Sequence, residues 1–383
     1  MDSPRELHVR EVLFVVGEAS GDLHAGKVAE VLRERAPQLP MAGVGGGHMR
    51  AAGVEVLEDV ERLAVMGFVE VLQHVPKHWA LLRRLRARIE SGKVGLVVLL
   101  DYPGFNLKVA EVAHRAGVPV LYYITPQVWA WGADRLPTLA RLVTKAASIL
   151  PFEEALLRKH GIDATFVGHP LLDRAQSLPS QAEARQQLGL PADAPVLAMF
   201  PGSRRAEIAR HLEPFTEAAL EVQRRRPDVH VVVSVAPTVR IAPSDCPFPL
   251  VQGASFVVQR AATAGLLKSG TNTLEAAVAG LPHVIGYRTS AITYAIARRV
   301  VKIPHIGLVN VVAGEAVSPE FVQDSFVPST VADALMPLFE PNGEARLRAE
   351  AGLARVRAQL GTPGASARVA EMILAMQEST GAR

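Results

Sequence analysis

The chain has one cysteine, Cys246, in 383 residues. No internal disulfide can form, no Cys/His set has zinc-ligand spacing, and a reducing compartment, simplest the cytosol, is expected. The start, MDSPRELHVREVLFVVGEASG, carries mixed charges and only the short apolar run 12–16, too little for a signal-peptide core. The longest uncharged stretch, 116–133, contains Pro119, Thr125, Pro126 and Gln127. It reads as strand plus loop and not as a membrane span. Neither charge dominates: 41 Lys and Arg face 38 Asp and Glu, so the pI near 9.1 reflects a small excess that does not indicate nucleic acid. Fixed-period repeats and low-complexity tracts are absent as well.

What is present is an apolar content of 49% with 21% charged residues, enough to bury a proper core. A chain of 383 residues exceeds what one core usually organises, so two domains are expected, with the cleft between them as the default site. Short β-branched runs alternate with longer amphipathic segments, the mark of βαβ units. The fold class is α/β with two doubly wound, Rossmann-like domains. Strands are expected at 12–16, 41–44, 96–100, 118–124, 148–150 and 165–167 in the first, and at 196–200, 230–235, 256–258, 266–268 and 283–287 in the second. Helices are expected at 23–35, 107–116, 207–226 and 273–279. The domains are assigned to 1–172 and 190–361, with the polar, proline-containing stretch 171–195 as linker. The helix about 362–383 is expected to pack back on the first domain.

Several turns follow strands and precede helices, where open α/β sheets bind ligands. Gly17-Glu18-Ala19-Ser20-Gly21-Asp22 can hold a phosphate or sugar through close backbone approach and helix-start N–H groups, or can be a plain turn with Asp22 as N-cap. The glycines 43 and 45–47 lack the spacing of a dinucleotide fingerprint, so no nicotinamide cofactor is expected. Asp101, at the end of the most apolar strand, is placed to accept a proton from an attacking hydroxyl, or to act as a turn residue. Gly202-Ser203-Arg204-Arg205 pairs a glycine turn with two guanidinium groups, which suits a diphosphate or simply exposes arginine at a helix start. Ser269-Gly270-Thr271-Asn272-Thr273-Leu274-Glu275 offers N–H groups and hydroxyls to phosphate, with Glu275 fitting ribose hydroxyls or merely complementing the helix dipole. No Asp-x-Asp pair occurs, so arginine and helix starts must stand in for a metal on any diphosphate.

Residues 63–88 combine apolar side chains with Lys77, Arg83, Arg84, Arg86 and Arg88. Val69, Leu72, Val75 and Trp79 fall near helical spacing and can form a face that enters lipid while the basic residues meet anionic headgroups; a buried helix with a solvated basic side fits equally. The aromatics Tyr122, Tyr123, Trp129 and Trp131 suit sugar stacking or core packing alike, and no catalytic role is assigned to them.

Taken in order, GEASGD, GVGGGHM, LAVMGFVEVL, DYPGFN, YYITPQVWAW, PFE, VGHP, FPGSR, SGTNTLEA and GLVN resemble the motif series of the lipid-A-disaccharide synthase family, from Gly17 to Asn310. The resemblance implies a GT-B fold and an inverting, metal-independent transferase without cofactors. It implies UDP-2,3-diacylglucosamine as donor and 2,3-diacylglucosamine 1-phosphate as acceptor. It also implies Asp101 as general base, Arg204 on donor phosphate, and Ser269 to Glu275 with Asn310 facing UDP. Peripheral contact of a cytoplasmic enzyme with the inner membrane through the Val69–Leu72 patch follows from it, as does a role for the C-terminal helices in a homodimer. Residues 302–305 and 307–309 depart from the family's commonest pattern, while Asn310 keeps it. Other GT-B sugar-nucleotide enzymes, namely the peptidoglycan N-acetylglucosaminyl transferase and the UDP-N-acetylglucosamine 2-epimerase, share the design. A non-catalytic nucleotide-sugar-binding protein shares it too, since fold alone does not establish turnover.

Overall fold

The runs richest in Val, Leu and Ile form the central strands of two parallel sheets. The computed structural model of the protein describes residues 10–62, 68–300 and 303–381. It divides into two units, one comprising Met1–Asp173 with Thr362–Arg383 and the other Arg174–Gly361.

The first unit holds β1 (Glu11–Val16), β2 (Met41–Gly45), β3 (Glu55–Asp59), β4 (Val94–Leu100), β5 (Val120–Tyr123), β6 (Lys145–Ser148) and β7 (Ala164–Phe166) in the order β3-β2-β1-β4-β5-β6-β7. Every pairing is parallel. All seven residues of β4 are buried because helices cover both faces, which is why its sequence is continuously apolar and does not alternate. Side chains split by the strand period of two. Leu13, Val15, Val97 and Leu99 meet Leu81, Leu85 and Val109 on one face. Val12, Phe14, Leu96 and Val98 meet Val28, Leu32, Val369 and Ile373 on the other. Each fully buried Leu, Val or Phe side chain contributes about 1.5–3 kcal/mol. The helix Ala365–Gly381 thus lies against Ala19–Arg35, aided by an Arg35–Glu371 ion pair of 2.8 Å and by the Asp173 carboxylate, which accepts the N–H of Gly364 and Ser366.

The second unit holds β8 (Val196–Phe200), β9 (His230–Val235), β10 (Leu250–Gln252), β11 (Ala264–Lys268), β12 (His283–Tyr287) and β13 (Glu320–Val322) in the order β10-β9-β8-β11-β12-β13, again all parallel. The helix Arg205–Arg225 packs Phe215, Ala218 and Val222 on Leu197 and Met199. Val258 and Ala276 cover the opposite face at Val196 and Ala198. Strand order reverses once in each sheet, between β1 and β4 and between β8 and β11. The crevice outside the carboxyl ends at such a reversal is where open α/β sheets bind ligands.

Four expectations are corrected. Residues 256–258 lie in the helix Ser255–Ala261, since a short apolar run does not by itself separate strand from buried helix. The strand expected at 148–150 is Lys145–Ser148. The edge strands β3, β10 and β13 were not expected; the last two are three residues each. The stretch 171–195 carries the helices Leu171–Ala175 and Gln181–Gln187, and from Arg174 onward it groups with the second unit. Among the described residues no helix is long and apolar enough to cross a membrane.

Candidate functional site

In the first unit, the register Val16↔Leu100 brings the turn after β1 beside the turn after β4. Asp101 and Tyr102 both take φ of 47°, and Ile124, whose carbonyl accepts the Asp101 N–H at 3.2 Å, takes 59°. Such left-handed values in residues other than glycine cost of order 1–3 kcal/mol each and gather at ligand sites. Three of the four described cases lie at this edge. Asp101 is exposed there, as are Glu18 and Ser20 at the start of the helix Ala19–Arg35. Tyr102 bridges the two turns: burial first, and then the charge of Glu18, push its phenol up, and its hydroxyl lies 2.6 Å from His78 Nε2.

Asp22 does something else. It is 4% exposed, its Oδ1 accepts the N–H of Gly46 (2.6 Å) and Met49 (3.1 Å), and its Oδ2 accepts that of His48 (2.9 Å). It therefore anchors the start of the helix Gly47–Ala51 and does not cap its own helix, whose N-cap is Glu18.

In the second unit, the pairing Leu267↔Phe200 sets 201–204 beside 269–271. Arg204 is exposed at the N-cap of Arg205–Arg225, the positive end of a long helix. Below it, Glu207 Oε2 accepts the N–H of Ser203 at 2.9 Å and Glu207 Oε1 lies 2.9 Å from Lys268 Nζ, joining the two loops. Burial pushes the Glu207 carboxyl up, but Lys268 and the Ser203 N–H outweigh it and hold the group below its ordinary value. Gly202 (φ 137°) is required here, because a Cβ would stand 2.6 Å from that of Glu207. His211 continues the chain, with Nδ1 donating to Glu207 O (2.7 Å) and Nε2 accepting Arg288 N–H (2.8 Å). That is the neutral tautomer, in keeping with a pKa lowered mainly by burial.

The Ser269–Glu275 motif divides. Gly270 (φ 149°) and the exposed Thr271 form the open turn. Ser269 Oγ donates to Ile306 O (2.7 Å), and the fully buried Thr273 donates to Gly270 O (2.8 Å) while accepting Val309 N–H (3.3 Å), so these hydroxyls shape the loop. Glu275 is 7% exposed and is held by Ser255 Oγ (2.7 Å) and Arg174 (3.2 Å). Asn310 turns inward. It is 0% exposed, its Nδ2 donates to Ser318 O (2.7 Å) and Glu320 Oε1 (2.8 Å), and its Oδ1 accepts Ser318 N–H (2.9 Å). Its amide ties β13 to the helix Leu308–Ala313 and so braces that loop from inside.

Of the expected lipid-facing set, Trp79 is 55% exposed, with Lys108 Nζ 5.2 Å from its ring centre. The side chains of Val69, Leu72 and Val75 lie outside the described residues. Arg84 pairs with Glu58 (2.9 Å), Arg86 with Glu90 (2.7 Å) and Arg88 with Glu11 and Glu55, so these arginines, expected to meet headgroups, are held by carboxylates of their own unit.

Sequence reasoning missed Tyr102, His78, Glu207, Lys268 and Arg174. Lys268, at the last position of β11, was the one with a signal. Trp129 has a structural partner: its Nε1 donates to Glu153 Oε1 at 3.0 Å. Among the described residues no group of His, Cys, Asp or Glu is arranged to hold a metal ion.

Comparison with known proteins gives the fold and the family. Solved structures with the same fold include a UDP-GlcNAc 2-epimerase from Neisseria meningitidis bound to UDP-GlcNAc (TM-score 0.62, 16% identity, 95% of this chain and 99% of that one). Another is CalG4, the calicheamicin glycosyltransferase (TM-score 0.63, 17% identity, 96% and 98%). At these identities they establish the fold alone. Curated lipid-A-disaccharide synthases are far nearer in sequence. That of Geobacter sulfurreducens is 41% identical over 373 residues, covering 95% of this chain and 97% of its own length. That of Myxococcus xanthus is 39% identical over 370 residues, covering 95% and 96%. The family model for lipid-A-disaccharide synthetase matches residues 12–370, and the chain belongs to that family.

Proposed function

We propose that this protein transfers 2,3-diacylglucosamine from UDP-2,3-diacylglucosamine to 2,3-diacylglucosamine 1-phosphate, giving the β-1,6-linked disaccharide 1-phosphate and UDP. The family match over residues 12–370 carries the substrate identity. Asp101 takes the proton of the acceptor 6-hydroxyl, whose oxygen bonds to the donor anomeric carbon with inversion. The bond from that carbon to the diphosphate oxygen breaks, and its electron pair leaves with UDP. Arg204 and the turn Gly270–Thr271 stabilise the departing charge, a task for which a permanently charged guanidinium and helix-start N–H groups suffice without metal. Glu18 and Ser20 are assigned to the acceptor, and Gly202, Ser203 and Glu275 to the donor.

The same reading has the protein work in the cytoplasm against the inner membrane, supported by the exposed Trp79 and the apolar sequence around Val69 and Leu72. A homodimer through the C-terminal helices belongs to it as well. Membrane contact predicts sedimentation with vesicles containing acidic lipid, reduced in the Val69→Glu, Leu72→Glu variant.

Incubation of the purified protein with both substrates and a chelator, followed by mass spectrometry, tests the reaction. Disaccharide with stoichiometric UDP is expected, and absence of both products from folded protein overturns the assignment. Asp101→Ala and Arg204→Ala are expected to fold normally and lose turnover.

A further inference from the structure

The chain leaves β4 through two consecutive left-handed residues, Asp101 and Tyr102, and something must hold that bend in place. The Asp101 carbonyl points inward and accepts two side-chain hydrogen bonds, from Tyr122 Oη at 2.6 Å and Asn106 Nδ2 at 2.8 Å. Both donors are 0% exposed. The same Asn106 Nδ2 reaches Leu100 O (3.0 Å) and Val15 O (3.3 Å), so one amide joins the ends of β1 and β4 to the bend. Its Oδ1 is buried without a hydrogen-bond partner.

With the carbonyl turned into the unit, the Asp101 side chain stands on the exposed side of the same residue. We propose that Tyr122 and Asn106 are positioning residues for Asp101: by fixing its carbonyl from inside they fix the direction in which its carboxylate leaves the sheet edge. This rests on Asp101 acting as the base. Neither residue touches substrate. Burial, and then the charge of Asp101, push the Tyr122 phenol far up, so it remains a donor at any working pH. Tyr122 also packs in the core, which accounts for its ring but not for the direction of its hydroxyl.

The test is Tyr122→Phe, which removes one oxygen and keeps the ring, assayed alone and in an Asp101→Asn background with both substrates. Loss of a sub-ångström placement predicts a fall in kcat on the order of tenfold to a hundredfold. KM for both substrates should stay near the parent value, and the fall should vanish when Asp101 is already Asn. Asn106→Ser should behave in the same way; if it does not fold, Tyr122→Phe carries the test alone. An unchanged kcat in Tyr122→Phe, or a lower melting temperature with unchanged kcat per folded molecule, overturns the proposal. So does an equal loss in both backgrounds, which would mean that Tyr122 acts independently of Asp101. Parental turnover in Asp101→Asn alone removes the base assignment itself, whereas low turnover there with a normal Tyr122→Phe removes only the positioning role.

Discussion

The ring of Tyr102 fills the space in front of Gly17: a Cβ at Gly17 would stand 2.2 Å from Tyr102 Cγ and 2.4 Å from its Cβ. The glycine after β1 is thus there to let the bend after β4 come close, and not only to free a turn. Gly17→Ala must push Tyr102 away and disturb Asp101 with it. The expected cost is about 1–3 kcal/mol of stability, together with a kcat lower on the order of a hundredfold. Thermal melting and steady-state kinetics on the same preparation check both. A variant with parental melting and parental kcat would mean that the two turns move apart freely.

Asp22 belongs to a turn that reads equally as a phosphate or sugar site and as a plain strand-to-helix turn, and its carboxylate serves three backbone N–H groups of 46–49. Asp22→Ala leaves those donors without their acceptor, at a cost of about 2–4 kcal/mol. A melting temperature lower by roughly 5–10 °C is expected, with KM for donor and acceptor unchanged in the folded fraction. A raised KM at parental stability would return Asp22 to the substrate.

These two positions show how far the residues could be read alone. The sequence located β1, β2, β4, β8, β9 and β12 because strands buried on both faces are written as uninterrupted apolar runs. It missed β3, where three of the five residues EVLED are acidic, and the three-residue edges β10 and β13, because an edge strand carries no such run. At the site, the turns were legible from glycine and polar spacing, and Asp101 from its place at a strand end. Whether a polar side chain turned outward, as Arg204 does, or inward, as Asp22, Thr273 and Asn310 do, depended on contacts between residues as much as 27 positions apart in the motif around Asp22. Spacing does not encode such contacts.

Asn310 lies 2.8 Å from Glu320 Oε1 through its Nδ2. Replacing that donor with a second carboxylate, Asn310→Asp, puts two acids where one proton must be shared, and the pair's affinity for that proton rises above that of an unfolded carboxyl. A raised carboxyl pKa in the folded state gives stability that is present at low pH and lost as pH rises. The melting deficit of Asn310→Asp relative to the parent should therefore be larger at pH 8 than at pH 5. An equal deficit at both values would show that the pair has parted. UDP affinity of the folded fraction should not change.

Glu153 offers the opposite experiment, removing a proton-binding group that the native protein already strains. Burial pushes its carboxyl from 4.5 up to about 7, against the hydrogen bonds from Trp129 and the Leu150 N–H that favour the charged form. Between these two values the folded protein binds more protons than the unfolded chain, so stability falls as pH rises through the window and levels off above it. The whole effect is about 3 kcal/mol at most. Glu153→Gln keeps an acceptor for Trp129 Nε1 and cannot ionise. Its Nε2 then faces the Leu150 N–H that Glu153 Oε2 accepts, a cost that does not vary with pH, so its melting temperature should lie below the parent's at pH 5 and lose the downward slope between pH 5 and 7 expected of the parent. If the slope persists in the variant, another group is responsible, and Glu153 is ionised throughout.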